Sequence, residues 1–441
     1  MAAETLNRSG VVLMAVAFLT VGSGRAPAAD LMAGAARLDL TPPMSMKAVL
    51  GGYGERMSKP ATGVHDRIFA KALVLSEGTK RFVLVTADVS GFPPAIKPAV
   101  LKALGEAGWE REQVLLLPSH SHTSISGHAI NPKNVLKLPQ VGLFQQELYD
   151  LTVANLAKVI TQAGRKLEPV TVGTRSLRLK GWNRNRRRGN KATDEELTVT
   201  RIDKAGGKPF VVLVNWTAHP TFMDSHDMMF SGGWPGHLQR TLEALIGEGV
   251  TAMYYNGAEG DQSPVARRDS GRSNWEKAER YGRELALVVW REWAKTKTVR
   301  SPVLGYHLER VKLPKPAYHP DFMKTGGSEY GLTPEIMDTV LAVILPHRTA
   351  IAWFRLGDLL VTGIPGEMAA ELGIGLKKRI RQQTGAKHAV IAGLANESIA
   401  YILSAEEYTK GGYESSVSFY GPTLGQTIVD AALRGASRLK D

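Results

Sequence analysis

Six short apolar runs, each stopping abruptly at a polar cluster, constrain this chain more than any other feature of its sequence. Residues 82–87 lead into Asp88, and residues 114–117 into Pro118-Ser119-His120-Ser121-His122. Residues 210–214 lead into Asn215-Trp216-Thr217-Ala218-His219-Pro220, and residues 252–255 into Asn256-Gly257-Ala258-Glu259-Gly260-Asp261. Residues 359–362 lead into Gly363-Ile364-Pro365-Gly366-Glu367, and residues 389–392 run towards Asn396 and Tyr401. Continuous apolar runs of this length, rich in Val, Leu and Ile, fit strands buried on both faces rather than half-exposed ones. Helical patterns alternate with them. Between Trp275 and Trp293, the apolar residues Ala278, Tyr281, Leu285, Val289 and Trp293 recur at steps of three or four. Pro235 is placed to open a second helix at its first position, and Pro365-Gly366 stands just before a third that runs through Lys377-Lys378-Arg379. The expected fold is α/β, a mixed β-sheet core with helices packed on it and polar clusters at the strand ends, where such sheets place their sites. Strand order is not readable from these patterns.

The N-terminus reads differently. Arg8 precedes the apolar run 11–19, and Ala26-Pro27-Ala28-Ala29 follows. A positive start, a hydrophobic stretch too short to span a bilayer and a small-residue cleavage site predict a signal peptide over residues 1–29 and an exported protein, periplasmic or secreted. An uncleaved anchor is the other reading of the same segment. With no internal repeat or low-complexity linker in the remainder, residues 30–441 are expected to form a single domain.

The chain has no cysteine, so disulfides, thiolate metal ligands and a cysteine nucleophile are excluded, and any metal must sit on His, Asp, Glu or Tyr. Its net charge of +13 favours anionic partners, among them a peripheral contact with an anionic membrane surface. The densest run is Arg184-Asn185-Arg186-Arg187-Arg188; it reads equally as a solvated loop or a binding patch. No helix-turn-helix, zinc-finger or RNP-type pattern accompanies the charge, and nucleic acid is not expected.

Taken singly, the polar clusters are ambiguous. If the strand extends through His120-Ser121-His122, alternation puts both imidazoles on one face. The segment 256–264 is rich in turn residues, yet it also offers Ser263 beside backbone N–H donors. Glu367 reads as a carboxylate complementing a helix dipole, and Tyr401 as a core aromatic.

Together they resemble the neutral/alkaline ceramidase family. Ala33-Gly34-Ala35-Ala36-Arg37-Leu38-Asp39-Leu40-Thr41-Pro42 is similar to its "GAA-x-x-D-I-T-P" start, and Gly63-Val64-His65-Asp66-Arg67 to its "G-I-H-x-R". Ser119-His120-Ser121-His122 resembles "THTH", His219-Pro220-Thr221 resembles "HPT", and Gly260-Asp261-Gln262-Ser263-Pro264 resembles "GDxSP". Pro365-Gly366-Glu367 and Tyr401 through Tyr420-Gly421-Pro422 complete the series in order. The resemblance implies one Zn2+ per chain held by His120, His219, Glu367 and Tyr401. It further implies active-site roles for His122, Arg184 (from the family's "NRSP"), Ser263 and Tyr413, and a lipid-like N-acyl amide substrate such as ceramide. Whether Ser263 is a nucleophile or an orienting group stays open. Two imidazoles, a carboxylate and an oxygen donor suit zinc.

The resemblance has gaps. Thr-Ser-Ile-Ser follows His122 in place of Ser-Gly-Pro-Gly-Gly, and Gly233 replaces an aspartate of "SGDFPG". The sequence ends soon after Pro422, so the expected fold lacks the C-terminal β-sandwich of longer ceramidases. A zinc hydrolase acting on a different acyl amide or ester is therefore the alternative, and a non-catalytic lipid-binding relative the next.

Overall fold

All six apolar runs form strands whose ends lie within two residues of the expected bounds: Lys80–Ala87, Val114–Pro118, Pro209–Trp216, Thr251–Asn256, Leu359–Gly363 and His388–Ala392. The structure is a computed structural model that describes residues 30–266, 272–300 and 302–440. The expected signal peptide, residues 1–29, lies outside the described residues.

The larger sheet has nine strands. From one edge it runs Thr251–Asn256, Pro209–Trp216, Glu196–Lys204, Glu168–Arg178, Met32–Asp39, Phe69–Glu77, Lys80–Ala87 and Val114–Pro118, with the short strand Val299–Arg300 joined to Glu168–Arg178. The outermost pair at each edge is parallel and the pairings between them are antiparallel. A second sheet holds Leu304–Lys312, Arg348–Leu356, Leu359–Gly363 and His388–Ala392, with only the last pair parallel.

The runs are buried on both faces for two different reasons. Along Lys80–Ala87, Phe82 and Leu84 point into a core shared by the two sheets, while Val83, Val85 and Ala87 point into a core shared with helices. The same alternation splits Val211 and Leu213 from Val212 and Val214, and Val390 from Ala389 and Ile391. One face of each strand therefore meets the opposite sheet and the other meets helices, giving four layers. Phe82 stacks on Phe354 of the second sheet at 4.5 Å and 3°, a pair worth about 1 kcal/mol beyond the area it buries. Helices α1 (Ile96–Leu104) and α2 (Gln146–Gly164) cover one half of the large sheet, and α3 (Gly233–Ile246) and α4 (Asn274–Lys295) the other. Helices α5 (Ala370–Thr384) and α6 (Leu424–Ala436) cover the small sheet.

Helix α4 falls where its periodicity predicts. Its start is set by a capping box in which Ser273 Oγ accepts from the Glu276 N–H and the Glu276 carboxylate accepts from the Ser273 N–H. Two other helix starts differ from expectation. Helix α3 begins at Gly233, so Pro235 is its third residue rather than its first; a first-turn proline still removes no intrahelical bond. Helix α5 begins only at Ala370, because Glu367–Met368 instead forms a two-residue strand parallel to Tyr401–Ile402. Glu367 thus complements no helix dipole. It sits in register with Tyr401.

Asparagines at and just beyond the strand ends tie these ends together, both within the large sheet and across to the second one. Asn215 Nδ2 donates to the Ile391 carbonyl at 2.9 Å and to the Tyr255 carbonyl at 3.2 Å. Asn256 Nδ2 donates to the Pro118 carbonyl at 3.2 Å, and Asn396 Oδ1 accepts from the Leu116 N–H at 3.0 Å. The polar clusters therefore converge on one region because their strands do. Among the described residues, no helix is long and apolar enough to cross a membrane.

Candidate metal centre and substrate cavity

The strand Val114–Pro118 ends two residues before His120, whose backbone has φ +60°, in the left-handed region that a β-carbon disfavours. Strand alternation therefore does not place His120 and His122, contrary to the sequence expectation. A sharp turn does, and both imidazoles still meet, with rings 4.9 Å apart and nearly perpendicular.

His120 Nδ1 lies against the carbonyl of Ser90, and His219 Nδ1 lies 3.1 Å from the carbonyl of Glu259. A carbonyl only accepts, so each ring places its proton on Nδ1 and turns the lone pair of Nε2 inward. The two Nε2 atoms face each other at 3.0 Å. Glu367 Oε2 is 3.6 Å from one and 3.5 Å from the other, buried, and without a hydrogen-bond donor among the described residues. Three acceptors aimed at one point repel unless something positive lies between them. Tyr401 hydrogen-bonds to Glu367 from the neighbouring strand, which sets its phenol oxygen beside that carboxylate. Ligands at the usual zinc distances sit about 3.3 Å apart around a tetrahedron. The four residues expected as ligands are thus adjacent, and their donor set fits zinc. His122 Nε2 is a further 3.4 Å from His120 Nε2, which makes His120, His122 and His219 a trio able to share an ion.

The electrostatics agree. Burial works against a charge on His120, but the carboxylates of Glu367 and Glu259 outweigh it and raise its pKa. Glu367 is lowered: burial opposes ionisation, while His120, the Tyr401 hydrogen bond and Arg186 favour it. His219 and His122 are pushed well below the ordinary imidazole value by burial first, then by neighbouring positive groups. The site favours one positive charge among its acidic groups, at His120 or beside it, and keeps the His219 and His122 imidazoles neutral.

The other expected residues divide. His122, Tyr413, Glu367 and Tyr401 line a cavity of about 320 Å³. Tyr413 stands at its exposed edge, 6.0 Å from the Tyr401 ring, with its hydroxyl 3.3 Å from that of Tyr330. Leu136, Leu332, Val340, Ile344, Val417 and Phe419 form the apolar walls. Gly52 has φ +94°, and a β-carbon there would lie 2.4 Å from the His122 ring, so only glycine lets this loop pass behind the imidazole.

Arg184 and Ser263 are not brought to the cluster in the same way. They face each other across the two-stranded pairing of Gln262–Pro264 with Asn183–Asn185, and neither lines the cavity. Arg184 is exposed. The arginine that reaches the site is Arg186. Its Nη2 donates to Tyr401 Oη at 2.9 Å and to the Gly260 carbonyl at 2.8 Å, and its Nε donates to Glu414 at 2.8 Å. The strand ends at Asn185, and the next residue turns inward as its N–H donates to the Asp261 carbonyl at 2.8 Å. The resemblance to "NRSP" pointed to the first arginine of the run, and only the partner carboxylate beside Tyr413 could have signalled the later one. Arg187 is buried between Glu407 and Glu414 at 2.9 and 3.1 Å. Two arginines of the densest basic run are therefore spent on internal ion pairs rather than on an anionic partner. Sequence reasoning also passed over Glu259 as a site group. Its side chain is buried, neither carboxylate oxygen has a partner among the described residues, and burial pushes its pKa up to about 8.

The family described as neutral/alkaline non-lysosomal ceramidase, N-terminal, matches residues 31–270 and 336–429. The neutral ceramidase of Pseudomonas aeruginosa is 23% identical over 473 residues, covering 88% of this chain and 70% of its own length. Neutral ceramidase A of Dictyostelium discoideum is 22% identical over 500 residues, covering 84% and 69%. The crystal structure of neutral ceramidase from Pseudomonas aeruginosa superposes with a TM-score of 0.78 at 20% identity, over 93% of this chain and 74% of that one. A ceramidase structure complexed with C2 gives 0.77 at 21% identity, over 93% and 75%. At these identities the superpositions establish the shared fold.

Proposed function

The chain belongs to the neutral/alkaline non-lysosomal ceramidase family, and on that premise we propose that it hydrolyses the N-acyl amide bond of ceramide or a related acyl amide, releasing fatty acid and amine. His120, His219, Glu367 and Tyr401 would hold one zinc ion. The observation that carries this reading is the pair of inward Nε2 lone pairs 3.0 Å apart, with the unpartnered Glu367 oxygen beside them, at the polar end of an apolar cavity.

A zinc ion held there supplies Lewis acidity, lowering the pKa of a water towards neutrality and drawing charge from an amide carbonyl. The protein's own groups do the rest. The apolar walls take the acyl chain and exclude water from the scissile bond. His122, kept neutral by burial, accepts the proton lost when water adds to the carbonyl carbon, and returns it to the amine nitrogen as the C–N bond breaks. Arg186 Nη2 donates to the Tyr401 oxygen at 2.9 Å and so fixes a group that would hold the zinc ion. Tyr413 guards the cavity edge. Ser263, with Arg184 as its neighbour on the ribbon, would act on the leaving group or headgroup; in the competing version Ser263 is a covalent nucleophile, which predicts an acyl-enzyme burst.

One feature favours a substrate somewhat different from ceramide. Gly233, in place of the family's aspartate, has φ +60°, and a β-carbon there would lie 3.0 Å from Ser121 Oγ, so the aspartate's carboxylate is absent from this turn. The same zinc chemistry would then serve another acyl amide or an ester. The test is fatty-acid release by purified protein from ceramide, simpler N-acyl amides and the matching esters, before chelation, after it and after zinc is restored. Activity that survives complete removal of metal contradicts the proposal. We also take residues 1–29 as a cleaved signal peptide, residues 30–441 as one catalytic domain and the enzyme as exported. N-terminal sequencing of protein recovered outside the cytoplasm tests these assignments.

A further inference from the structure

We propose that His65, Asp66 and His237 form a second cation site that takes a divalent transition metal such as zinc and clamps the loop after Gly63–Val64 onto α3 and α4. One donor atom from each of the three residues lies within 4.8 Å of the others. His65 Nδ1 is 3.0 Å from Asp66 Oδ2, and His237 Nε2 is 3.8 Å from the same oxygen. Two imidazoles and a carboxylate suit zinc, nickel or cobalt better than calcium or magnesium, which prefer all-oxygen shells.

A second observation points to a ligand. His237 is 9% exposed, and its Nε2 is buried without a hydrogen-bond partner among the described residues, although it is aimed at Asp66. At 3.8 Å that pair is too long for a hydrogen bond, and a buried polar atom left unpaired is costly. Burial keeps His237 neutral, with a pKa of about 4, and a neutral ring is the form a metal binds.

The surroundings set the terms of binding. Arg240 Nη1 holds Asp66 Oδ1 at 2.9 Å, and its Nη2 donates to His237 Nδ1 at 3.1 Å. With Nδ1 accepting, the ring proton resides on Nε2. Metal binding moves that proton to Nδ1, and Arg240 gives up the imidazole while keeping the carboxylate. Ser231 Oγ donates to Asp66 Oδ2 at 2.5 Å, and the Gly232 N–H donates to Oδ1 at 3.2 Å. The Ser231 carbonyl in turn accepts from Ser121 at 3.0 Å and Thr123 at 3.2 Å. The clamp therefore braces the segment that carries His120 and His122 without contributing a ligand to their centre. His65 stacks on Trp275 of α4 at 4.5 Å and 10°, which builds a reporter into the site.

The test is metal content per chain after zinc saturation and dialysis, with thermal melts on the same samples. Wild type is expected to hold two zinc ions, and both His65→Ala and Asp66→Asn one, with amide hydrolysis retained and the melting point lowered. His65 is exposed, so its variant is expected to fold. His219→Ala should lose the other ion, which separates failure of this site from failure of the first. Nickel should quench tryptophan fluorescence saturably in wild type and not in Trp275→Phe or His65→Ala. A single zinc in wild type that His219→Ala removes, or two that survive both His65→Ala and Asp66→Asn, would overturn the proposal.

Discussion

Replacing Glu259 by glutamine should flatten the pH dependence of stability in the metal-free protein. The Glu259 side chain is buried beneath the histidines with both oxygens unpartnered. Burial moves its carboxyl from the ordinary 4.5 up to about 8; the negative charge of Glu367 adds to the rise, and His120 and Arg186 oppose it. The sign follows from proton uptake. Below pH 4.5 the group is protonated in both folded and unfolded chains and costs nothing. Between 4.5 and 8 only the folded chain keeps the proton, so stability falls as pH rises. Above 8 both forms are ionised and the loss is complete. At about 1.4 kcal/mol per pH unit, the interval from 4.5 to about 8 sets a loss of about 5 kcal/mol. Urea unfolding of chelated wild type and Glu259→Gln, followed from pH 4.5 to 8.5, measures it. Wild type should lose several kcal/mol relative to the variant across that range, and zinc should shrink the difference by placing positive charge beside the carboxylate. A stability difference that does not change with pH refutes the reasoning.

Four other substitutions have definite outcomes. Arg186→Ala should lower kcat on the order of 100-fold by removing the donor that fixes Tyr401, whereas Arg184→Ala should stay within a few-fold of wild type in steady-state assays. Gly52→Ala should place a β-carbon against the His122 ring, cost about 1 kcal/mol for its left-handed backbone and depress kcat while metal content is unchanged. Lys377→Met should destabilise the fold by about 3–5 kcal/mol in denaturant titrations, because Asp194, held by the lysine at 2.7 and 2.8 Å, would be left buried beside Glu196.

How much of this was legible in the chain depends on which signal each feature leaves. Runs such as 210–214 announce strands because every residue is apolar, yet Val211 facing a sheet and Val212 facing a helix look identical in sequence. The second sheet as partner was therefore invisible. Helix α4 was legible because its apolar face has a period and its start a capping box. A two-residue strand has no period, so the pairing of Glu367 with Tyr401 could not be read, although the resemblance had already named both. The convergence of His120, His219, Glu367 and Tyr401 was expected from motif order alone; its cause, asparagine links between strand ends, depends on contacts far apart in the chain. Arg186 was missed for a simpler reason. Within a run of arginines, burial is decided by where the strand Asn183–Asn185 stops.

Diffraction from crystals of zinc-saturated, active protein, recorded on both sides of the zinc absorption edge, is the most direct measurement. A zinc ion held as proposed gives anomalous density about 2 Å from His120 Nε2, His219 Nε2, Glu367 Oε2 and the Tyr401 oxygen. Fully active crystals with no anomalous density among these four atoms would contradict that assignment.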